Sequence, residues 1–326
     1  MRFGTHNVKG LAAKIQPLVR MWQQLRLDIV AIQEHHVVEQ DQVLVQRWLS
    51  EACIELGCSP WHVFWGPSVR DPHSRGVAIL VRSSLLSSGA MVCEPLPLAA
   101  RAADDAGAEA LGQVDERLAE GRLQLLRVRW AGHHLRLLNV YAPASDDQKL
   151  AFVEHCLSRV PTDRMGQRGQ LLLMGDLNFT MTHGLDRCVW RQGVREAPAQ
   201  RAAERQVAEA FVDAFGAHLT DTFRTLHPDR TSFTHFYQRQ EGLGASRLDQ
   251  IWCTPRTQGH VLSCDHAQFT VSDHRCVVLH LAAANDDRLG PGRASIPADF
   301  LEAGGAALLF GWGEACRLSN TCRARP

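Results

Sequence analysis

The sequence lacks three features that would each point to a particular class of protein. It has no excess of charge, since Lys plus Arg and Asp plus Glu both number 35 among 326 residues. It has no apolar run near the roughly 20 residues that a membrane-spanning helix needs, and no apolar secretory signal follows Met1. We therefore expect neither a membrane protein nor a generally basic nucleic-acid coat, and a nucleic-acid partner would be held by a local patch.

Common metal and redox motifs are absent as well. The ten cysteines include no CxxC pair, and no HExxH motif is present. A structural zinc site, a disulfide framework and zinc-dependent hydrolysis are therefore poor expectations, and a reduced intracellular compartment is the better one. The 45% hydrophobic content is enough for one sizeable α/β domain, with or without a tail.

What the sequence does have is a series of short apolar runs that end in polar residues. In LLLMGDLNFT, Leu171–Met174 are typical of a strand buried on both faces, and Gly175 ends the run before Asp176 and Asn178. Open sheets place chemistry at the carboxyl ends of their strands. A strand followed by an Asx turn explains the same letters, and this stretch alone does not decide between the two.

The same pattern recurs elsewhere in the chain. Further polar residues at the ends of predicted strands are Asn7, Glu34, Tyr141, Asp249, Asp273 and His274. Taken singly, each has an ordinary explanation as a loop residue. If the ends of these strands lie on the same side of the fold, these residues form one site. That site would contain carboxylates suited to Mg²⁺, a histidine that a carboxylate can orient, and amide donors for a phosphate oxygen.

The order of predicted elements favours two sheets packed face to face. Predicted strands cluster before and after the midpoint, with helices between them, which differs from strict βαβ alternation. Helices are expected after Ile15, over 41–56 and over 196–215. Residues 126–140 are expected to form a hairpin with one wet face.

Two segments are expected to lie outside this core. Residues 94–122, rich in Ala, Pro and acidic residues, predict an inserted surface segment with one short helix over 115–120. The domain is predicted to span 1–282. Residues 283–326 are then expected to form a linker-like tail that can be disordered, with one short helix near 300–310.

Eight short motifs, in order, resemble those of the endonuclease/exonuclease/phosphatase superfamily. They are THNVKGL at Thr5, DIVAIQEHH at Asp28, GVAILV at Gly76, LLNVYAP at Leu138, LLLMGDLN at Leu171, FT at Phe233, SRLDQI at Ser246 and SDH at Ser272. Within the superfamily, NVYAP and SRLDQI are most similar to the apurinic/apyrimidinic-type endonuclease domain of LINE-type non-LTR retrotransposons. The resemblance implies a DNase I-like fold, a four-layered α/β sandwich with two mixed sheets inside.

The resemblance also implies a metal-dependent site. Glu34 would bind Mg²⁺ or Mn²⁺, with Asp273 near it, and Asp176 would deprotonate or position the attacking water. His274, oriented by Asp249, would stabilise the phosphorane. Whether Asp176 or His274 is the general base stays open, because coupled groups around a metal do not titrate independently.

Amide and hydroxyl groups complete the implied site. Asn178 and Asn7 would hold the scissile phosphate and neighbouring carboxylates, with Asn7 counted among the metal-binding residues, and Tyr141 would donate to a phosphate oxygen. The chain departs from the family in having Ala144 where an Asn is common and Lys149 where an Arg is found nearby. A lost amide at position 144 would weaken the grip on the DNA backbone without removing the chemistry.

The resemblance implies a DNA-nicking endonuclease of retrotransposon origin that acts on duplex DNA. A reverse transcriptase supplied in trans would be its partner, and the nucleus its location if the element is functional. GPGRASIP after Gly290 resembles the linker that leads towards the reverse transcriptase in such polyproteins. The alternatives are a phosphatase or phosphodiesterase acting on a small phosphoester or lipid head group, and an inactive, truncated retroelement remnant.

Overall fold

The fold is known from a computed structural model, which describes residues 1–67, 75–96, 98, 116–160, 169–191, 193–239 and 242–284. These residues belong to one unit, Met1–Asp286. Within them, no helix is long and apolar enough to cross a membrane. The predicted tail from residue 285 onward, most of the predicted insertion and most of the turn after Gly66 lie outside the described residues.

Two six-stranded sheets form the centre, with strands numbered in chain order. The first, in the order β15-β16-β1-β2-β4-β3, contains β1 (Arg2–Asn7), β2 (Ile29–Gln33), β3 (Trp61–Trp65), β4 (Val77–Arg82), β15 (Val261–His266) and β16 (Val277–Leu281). The second, in the order β11-β14-β8-β7-β6-β5, contains β5 (Met91–Leu96), β6 (Leu123–Trp130), β7 (His133–Tyr141), β8 (Gln170–Asp176), β11 (Thr220–Asp221) and β14 (Asp249–Cys253). Each sheet is mixed, with one parallel pair at its middle, β1–β2 or β7–β8.

Helices cover the outer faces of both sheets. The described helices are α1 (Ile15–Gln24), α2 (Gln42–Glu55), α3 (Ser83–Ser87), α4 (Glu116–Ala119), α5 (Asp146–His155), α6 (His183–Asp186), α7 (Ala202–Phe215), α8 (Thr222–Leu226) and α9 (Pro255–Gln258). Short 3-10 turns lie at Ala12–Lys14, Glu39–Asp41 and Leu157–Arg159.

Strand periodicity explains the layers, because successive side chains point to opposite faces of a sheet. In β2, Ile29 and Ala31 face the second sheet, whereas Val30 and Ile32 face α1 and α2. In the same way β8 divides its apolar residues between the first sheet and the helices α5 and α7. The layers therefore run helices, sheet, sheet, helices, which confirms the predicted four-layered α/β sandwich.

Several local predictions were wrong. A third sheet, in the order β10-β9-β13-β12, was not expected; its strands are β9 (Arg187–Arg191), β10 (Val194–Glu196), β12 (His235–Arg239) and β13 (Gly242–Ser246). The helix expected from residue 196 begins at Ala202, because 194–196 pair with β9 instead. The segment expected to be an insertion from residue 94 starts inside β5. The predicted β6–β7 hairpin does form, and its wet face is present in the half near the turn, at Arg127, Arg129 and His134, whereas the other half is buried on both faces.

Candidate active site

The first sheet delivers Asn7 and Glu34 to one edge. Strands β1 and β2 run parallel with Asn7 opposite Gln33, so the residue that follows β2 leaves the sheet beside the end of β1. The Asn7 side chain is fully buried, whereas 18% of the Glu34 side chain is exposed. Glu34 is therefore accessible to a ligand that enters from solvent, whereas Asn7 contacts Glu34 from the buried side.

The second sheet delivers three more of the predicted residues to the matching edge. Asp176 ends β8, with Tyr141 opposite it on β7 and Asp249 opposite it on β14. Gly175 is required just before it, because a Cβ there would lie 1.8 Å from the carbonyl oxygen of Val140. The glycine lets β8 approach β7 closely enough to place Asp176 between its two neighbours.

The Asn7 amide joins the two sheets. Its Nδ2 donates to Glu34 Oε1 at 2.7 Å and to Asp176 Oδ2 at 3.0 Å. Its Oδ1 accepts from the backbone N–H of Lys9 at 3.1 Å, which fixes the orientation of the amide. One side chain thus holds two carboxylates that lie 142 residues apart in sequence (176 minus 34).

Glu34 is held as an anion by its neighbours. Burial raises the pKa of its carboxyl, but the neighbouring His36, Asn7 and Tyr141 outweigh burial and lower that pKa to about 2. The nearest atom of His36 is Nε2, which lies 3.5 Å from Glu34 Oε2. An ionised, partly exposed carboxylate with oriented oxygens is suited to a hard divalent cation.

Asp249 and His274 form a buried charged pair. His274 Nδ1 lies 2.8 Å from Asp249 Oδ2, and the Asp249 backbone N–H donates to Thr234 Oγ1 at 3.0 Å. Burial lowers the pKa of His274, but the Asp249 charge and hydrogen bond, with Asp176 and Asp273 nearby, raise it to about 9. Burial likewise raises the pKa of Asp249, but His274 outweighs it and holds that pKa below the usual value. The imidazole is therefore cationic at neutral pH.

Asp176 faces this pair. Ligand atoms of Asp176, Asp249 and His274 all lie within 4.8 Å of one another, a spacing that could hold a metal ion. Burial raises the pKa of the Asp176 carboxyl to about 6, against the lowering effect of His274. Because His274 carries both ring protons at neutral pH, it offers no nitrogen lone pair to a metal ion in this cluster.

Asn178 and Tyr141 contact the carboxylates. The Asn178 backbone N–H donates to Asp176 Oδ1 at 2.9 Å, and its Nδ2 donates to the Ala142 carbonyl oxygen at 2.8 Å. The Tyr141 hydroxyl is hydrogen-bonded to Glu34, and burial, with Glu34 next, raises the pKa of Tyr141. Tyr141 therefore remains protonated and can act only as a neutral donor or acceptor.

Asp273 contacts two basic side chains. Its Oδ2 lies 2.5 Å from the Lys9 ammonium and 3.8 Å from His235 Nε2, while Oδ1 is buried without a hydrogen-bond partner among the described residues. The nearby His235, and then the hydrogen bond from Lys9, lower the pKa of Asp273 despite burial. The ring of His235 also stacks on His274, with centroids 4.4 Å apart.

Left-handed backbone is concentrated in this site. Among the described non-glycine residues, positive φ occurs at Lys9, Arg26, Glu34, His36, Ala131 and Asn178. Four of these six belong to the loops just described. Such conformations cost free energy and persist where surrounding contacts enforce them, as the bonds to Glu34 and Asp176 do here.

The sequence analysis missed a buried polar layer beneath the site. Gln33 Nε2 donates to Asn139 Oδ1 at 2.8 Å across the two sheets, and Asn139 Nδ2 donates to the carbonyl oxygens of Ile32 and Ala78. Gln33 ends an otherwise apolar strand, and Asn139 interrupts the apolar run of residues 137–140 in β7, which was the available signal. Lys9, His36 and His235 were also missed, because nothing in their local sequence indicates a partner.

The departure at Lys149 also has a structural counterpart. Lys149 is buried, and its Nζ lies 2.9 Å from Asp146 Oδ1. It supports the first turn of α5 and offers no free ammonium to a phosphate.

Comparisons with known proteins agree with this geometry. A model of the endonuclease/exonuclease/phosphatase family matches residues 4–274. A Xenopus laevis protein, the transposon TX1 uncharacterized 149 kDa protein, is 29% identical over 164 residues, which are 50% of this chain. The match covers only 12% of that relative's length.

Solved structures share the fold. An AP endonuclease from Archaeoglobus fulgidus superimposes with a TM-score of 0.58 at 18% identity over 86% of this chain and 99% of the other. The 3'-5' exonuclease NExo from Neisseria meningitidis gives 0.57 at 21% identity over 86% and 99%. The catalytic domain of APE2 from Xenopus laevis gives 0.60 at 20% identity over 90% and 99%. At these identities the likeness establishes the four-layered fold.

Proposed function

The chain belongs to the endonuclease/exonuclease/phosphatase family, and from that premise we propose that it is a divalent-metal-dependent phosphodiesterase that nicks duplex DNA. One observation carries the proposal. The Asn7 amide holds the carboxylates of Glu34 and Asp176 together, and the Asp249–His274 pair faces Asp176 from the other side. In-line attack on a phosphodiester needs a polarising cation, an oriented water and donors for developing charge, and these groups can supply or hold all three.

The donor set fits Mg²⁺ or Mn²⁺. Both ions prefer oxygen ligands, and Glu34 offers an ionised carboxylate that is partly open to solvent. A bound divalent ion would polarise the scissile phosphate and stabilise the leaving oxygen. Asn7 Oδ1 already accepts from the Lys9 backbone, so we assign Asn7 to orienting Glu34, with Asp273 near the metal as predicted.

The pKa values separate the two candidates for the general base. Asp176, with a pKa of about 6, is ionised at pH 7 to 8 and lies near the operating pH of an effective base. His274, with a pKa of about 9, is protonated there and cannot accept a proton. We therefore assign proton acceptance from the attacking water to Asp176, and stabilisation of the phosphorane charge to the cationic His274, oriented by Asp249.

Asn178 and Tyr141 complete the proposed assignment. The Asn178 amide, braced by the Ala142 carbonyl, directs its second N–H to the Asp176 side of the site, where a phosphate oxygen would be held. The Tyr141 hydroxyl touches Glu34 and would donate to a phosphate oxygen when substrate enters. In this assignment Asn178 and Tyr141 orient the phosphate and do not transfer protons.

DNA as the substrate is supported by the relatives. One neighbour of the same fold is a 3' phosphatase from Neisseria bound to a product DNA hairpin, and the Xenopus relative is a transposon protein. We propose that the chain is the nicking domain of a retrotransposon, working with a reverse transcriptase. The zero net charge means that DNA would be held locally, at the site edge.

Relaxation of supercoiled plasmid tests the proposal. We expect nicked circles with Mg²⁺ or Mn²⁺, none with EDTA, and no comparable release of phosphate from inositol phosphates. Turnover of the inositol phosphates with intact plasmid would favour the small-phosphoester reading. No turnover of either substrate by folded, metal-supplied protein would identify an inactive remnant.

A further inference from the structure

Lys9 lies at the mouth of the site, where its ammonium contacts Asp273. Lys9 Nζ is 2.5 Å from Asp273 Oδ2, and the two side chains are 58% and 30% exposed. The contact joins the loop after β1 to the loop before β16, which are 264 residues apart. An ion pair this exposed contributes little to folding in most proteins, so stability is a weak reason for it.

The loop that carries Lys9 is fixed in place. Lys9 has φ 46° and Gly10 has φ 92°. The backbone N–H of Gly10 donates to the Glu34 carbonyl oxygen at 2.7 Å, and Lys14 Nζ donates to the Lys9 carbonyl oxygen at 2.8 Å. A strained turn held by these bonds keeps Lys9 beside Glu34 and Asp273, and such strain is typical of functional positions.

The two acidic groups of this edge have different partners. Glu34 is hydrogen-bonded to neutral groups, Asn7 and Tyr141, and lies near His36. Asp273 instead has an ammonium in direct contact. A divalent ion bound by either oxygen of the Asp273 carboxylate, including the unpartnered Oδ1, would lie within a few ångström of that ammonium, and like charges at such a distance repel. Asp273 is therefore a poor ligand as long as Lys9 is paired with it.

We propose that Lys9 supplies, beside Asp273, the positive charge that a second divalent ion would otherwise supply, so that the site takes one metal ion, held by Glu34. The inference rests on the metal dependence in the proposed function. It refines the predicted ligand set, since Asp273 then acts through Lys9 and not on the metal. The remaining N–H donors of the ammonium are free to contact a bound phosphate.

Counting bound Mn²⁺ tests the inference without any activity assay. Free Mn²⁺ is measured by electron paramagnetic resonance at equilibrium with the full chain. We expect one bound ion for the wild type, one for Asp273→Asn and none for Glu34→Gln. For Lys9→Ala we expect two, because the Asp273 carboxylate becomes available. The double variant Lys9→Ala/Asp273→Asn should return to one.

Two further variants distinguish the effect of the Lys9 charge on the number of bound ions from an effect of impaired folding. Lys9→Arg keeps the positive charge and should still bind one ion, and Arg20→Ala, which removes an exposed charge from α1, should behave as the wild type. Each variant is included only if its melting curve shows one cooperative transition. Two ions on the wild type, or one ion on folded Lys9→Ala, would overturn the inference. No ion on the wild type would instead overturn the metal dependence proposed above.

Discussion

Removing the negative charge of Asp249 should shift the alkaline limit of DNA nicking. In the intact site, a base with a pKa of about 6 must be deprotonated and an imidazole with a pKa of about 9 must be protonated. The wild-type rate should therefore rise through pH 6, stay level, and fall through pH 9. The acidic and alkaline limbs of this rate–pH profile report apparent pKa values of the coupled Asp176–His274 pair.

The size of the effect of Asp249→Asn follows from the geometry. Without the carboxylate at 2.8 Å, burial is the largest remaining influence on His274 and opposes the smaller raising effects of Asp176 and Asp273, so we expect its pKa to return towards the ordinary value of about 6.5. At pH 8 the protonated fraction then falls from roughly nine-tenths to roughly 3%, a loss of about 30-fold. At pH 6 the ordinary pKa still leaves roughly three-quarters protonated, so the deficit should nearly vanish there.

The assay is single-turnover nicking of a supercoiled plasmid from pH 5.5 to 9.5 at saturating Mg²⁺. Asp265→Asn is the matched control, because Asp265 is half exposed and pairs with Arg230 on the surface. Its profile should overlay the wild type. If folded Asp249→Asn keeps an alkaline limb near pH 9, or loses rate equally at every pH, then the Asp249 charge does not keep His274 protonated and the assignment is wrong.

Three further predictions follow from single contacts. Asp176→Asn should lower the nicking rate on the order of 100-fold or more while leaving the melting temperature near that of the wild type, because it removes the proposed base without changing shape. Gly175→Ala should lower the free energy of unfolding by about 3 kcal/mol or more, measured in urea, because its Cβ would lie 1.8 Å from the Val140 carbonyl oxygen. Burial lowers the pKa of His6 to about 4 and of His266 to about 3, so stability should be complete above pH 6.5 and fall below it, by up to about 1.4 kcal/mol per pH unit for each histidine.

Controls and contrary results differ among the three. Glu154→Gln on α5 should nick normally, and normal nicking by Asp176→Asn would remove Asp176 from the chemistry. If Gly175→Ala were as stable as the wild type, β7 and β8 would not approach closely enough to exclude a Cβ at position 175. A flat unfolding free energy from pH 6.5 to 4 would mean that His6 and His266 are not buried as neutral rings.

The sequence was most informative where a buried strand ends in a polar residue. The runs before Glu34 and Asp176 are apolar on both faces, and such strands can lie only in the middle of a covered sheet. Glu34 and Asp176 were therefore expected where the carboxyl ends of central strands emerge from a sheet, and covering such strands on both faces requires a layered fold. The roles of these side chains remain predictions until variants are assayed.

Contacts between distant segments could not be predicted in this way. The bond from Asn7 to Asp176 joins residues 169 apart, and only the packing of the two sheets creates it. Lys9 and Asp273 are 264 residues apart and meet because β1 pairs antiparallel with β16 within the first sheet. The third sheet was missed because its strands are short and partly exposed, as in Val194–Glu196, so no clear alternation marks them. Pairing with neighbours, not local propensity, makes them strands.

A crystal structure of the protein with Mn²⁺ and a short duplex would test the central claim most directly. A non-hydrolysable phosphorothioate at the nicking position would hold the complex before cleavage. We expect an anomalous Mn²⁺ peak at roughly 2.0–2.2 Å from a Glu34 carboxylate oxygen, with the scissile phosphate between His274 and Asp176. A metal peak away from Glu34, or a phosphate bound outside this pocket, would contradict the account.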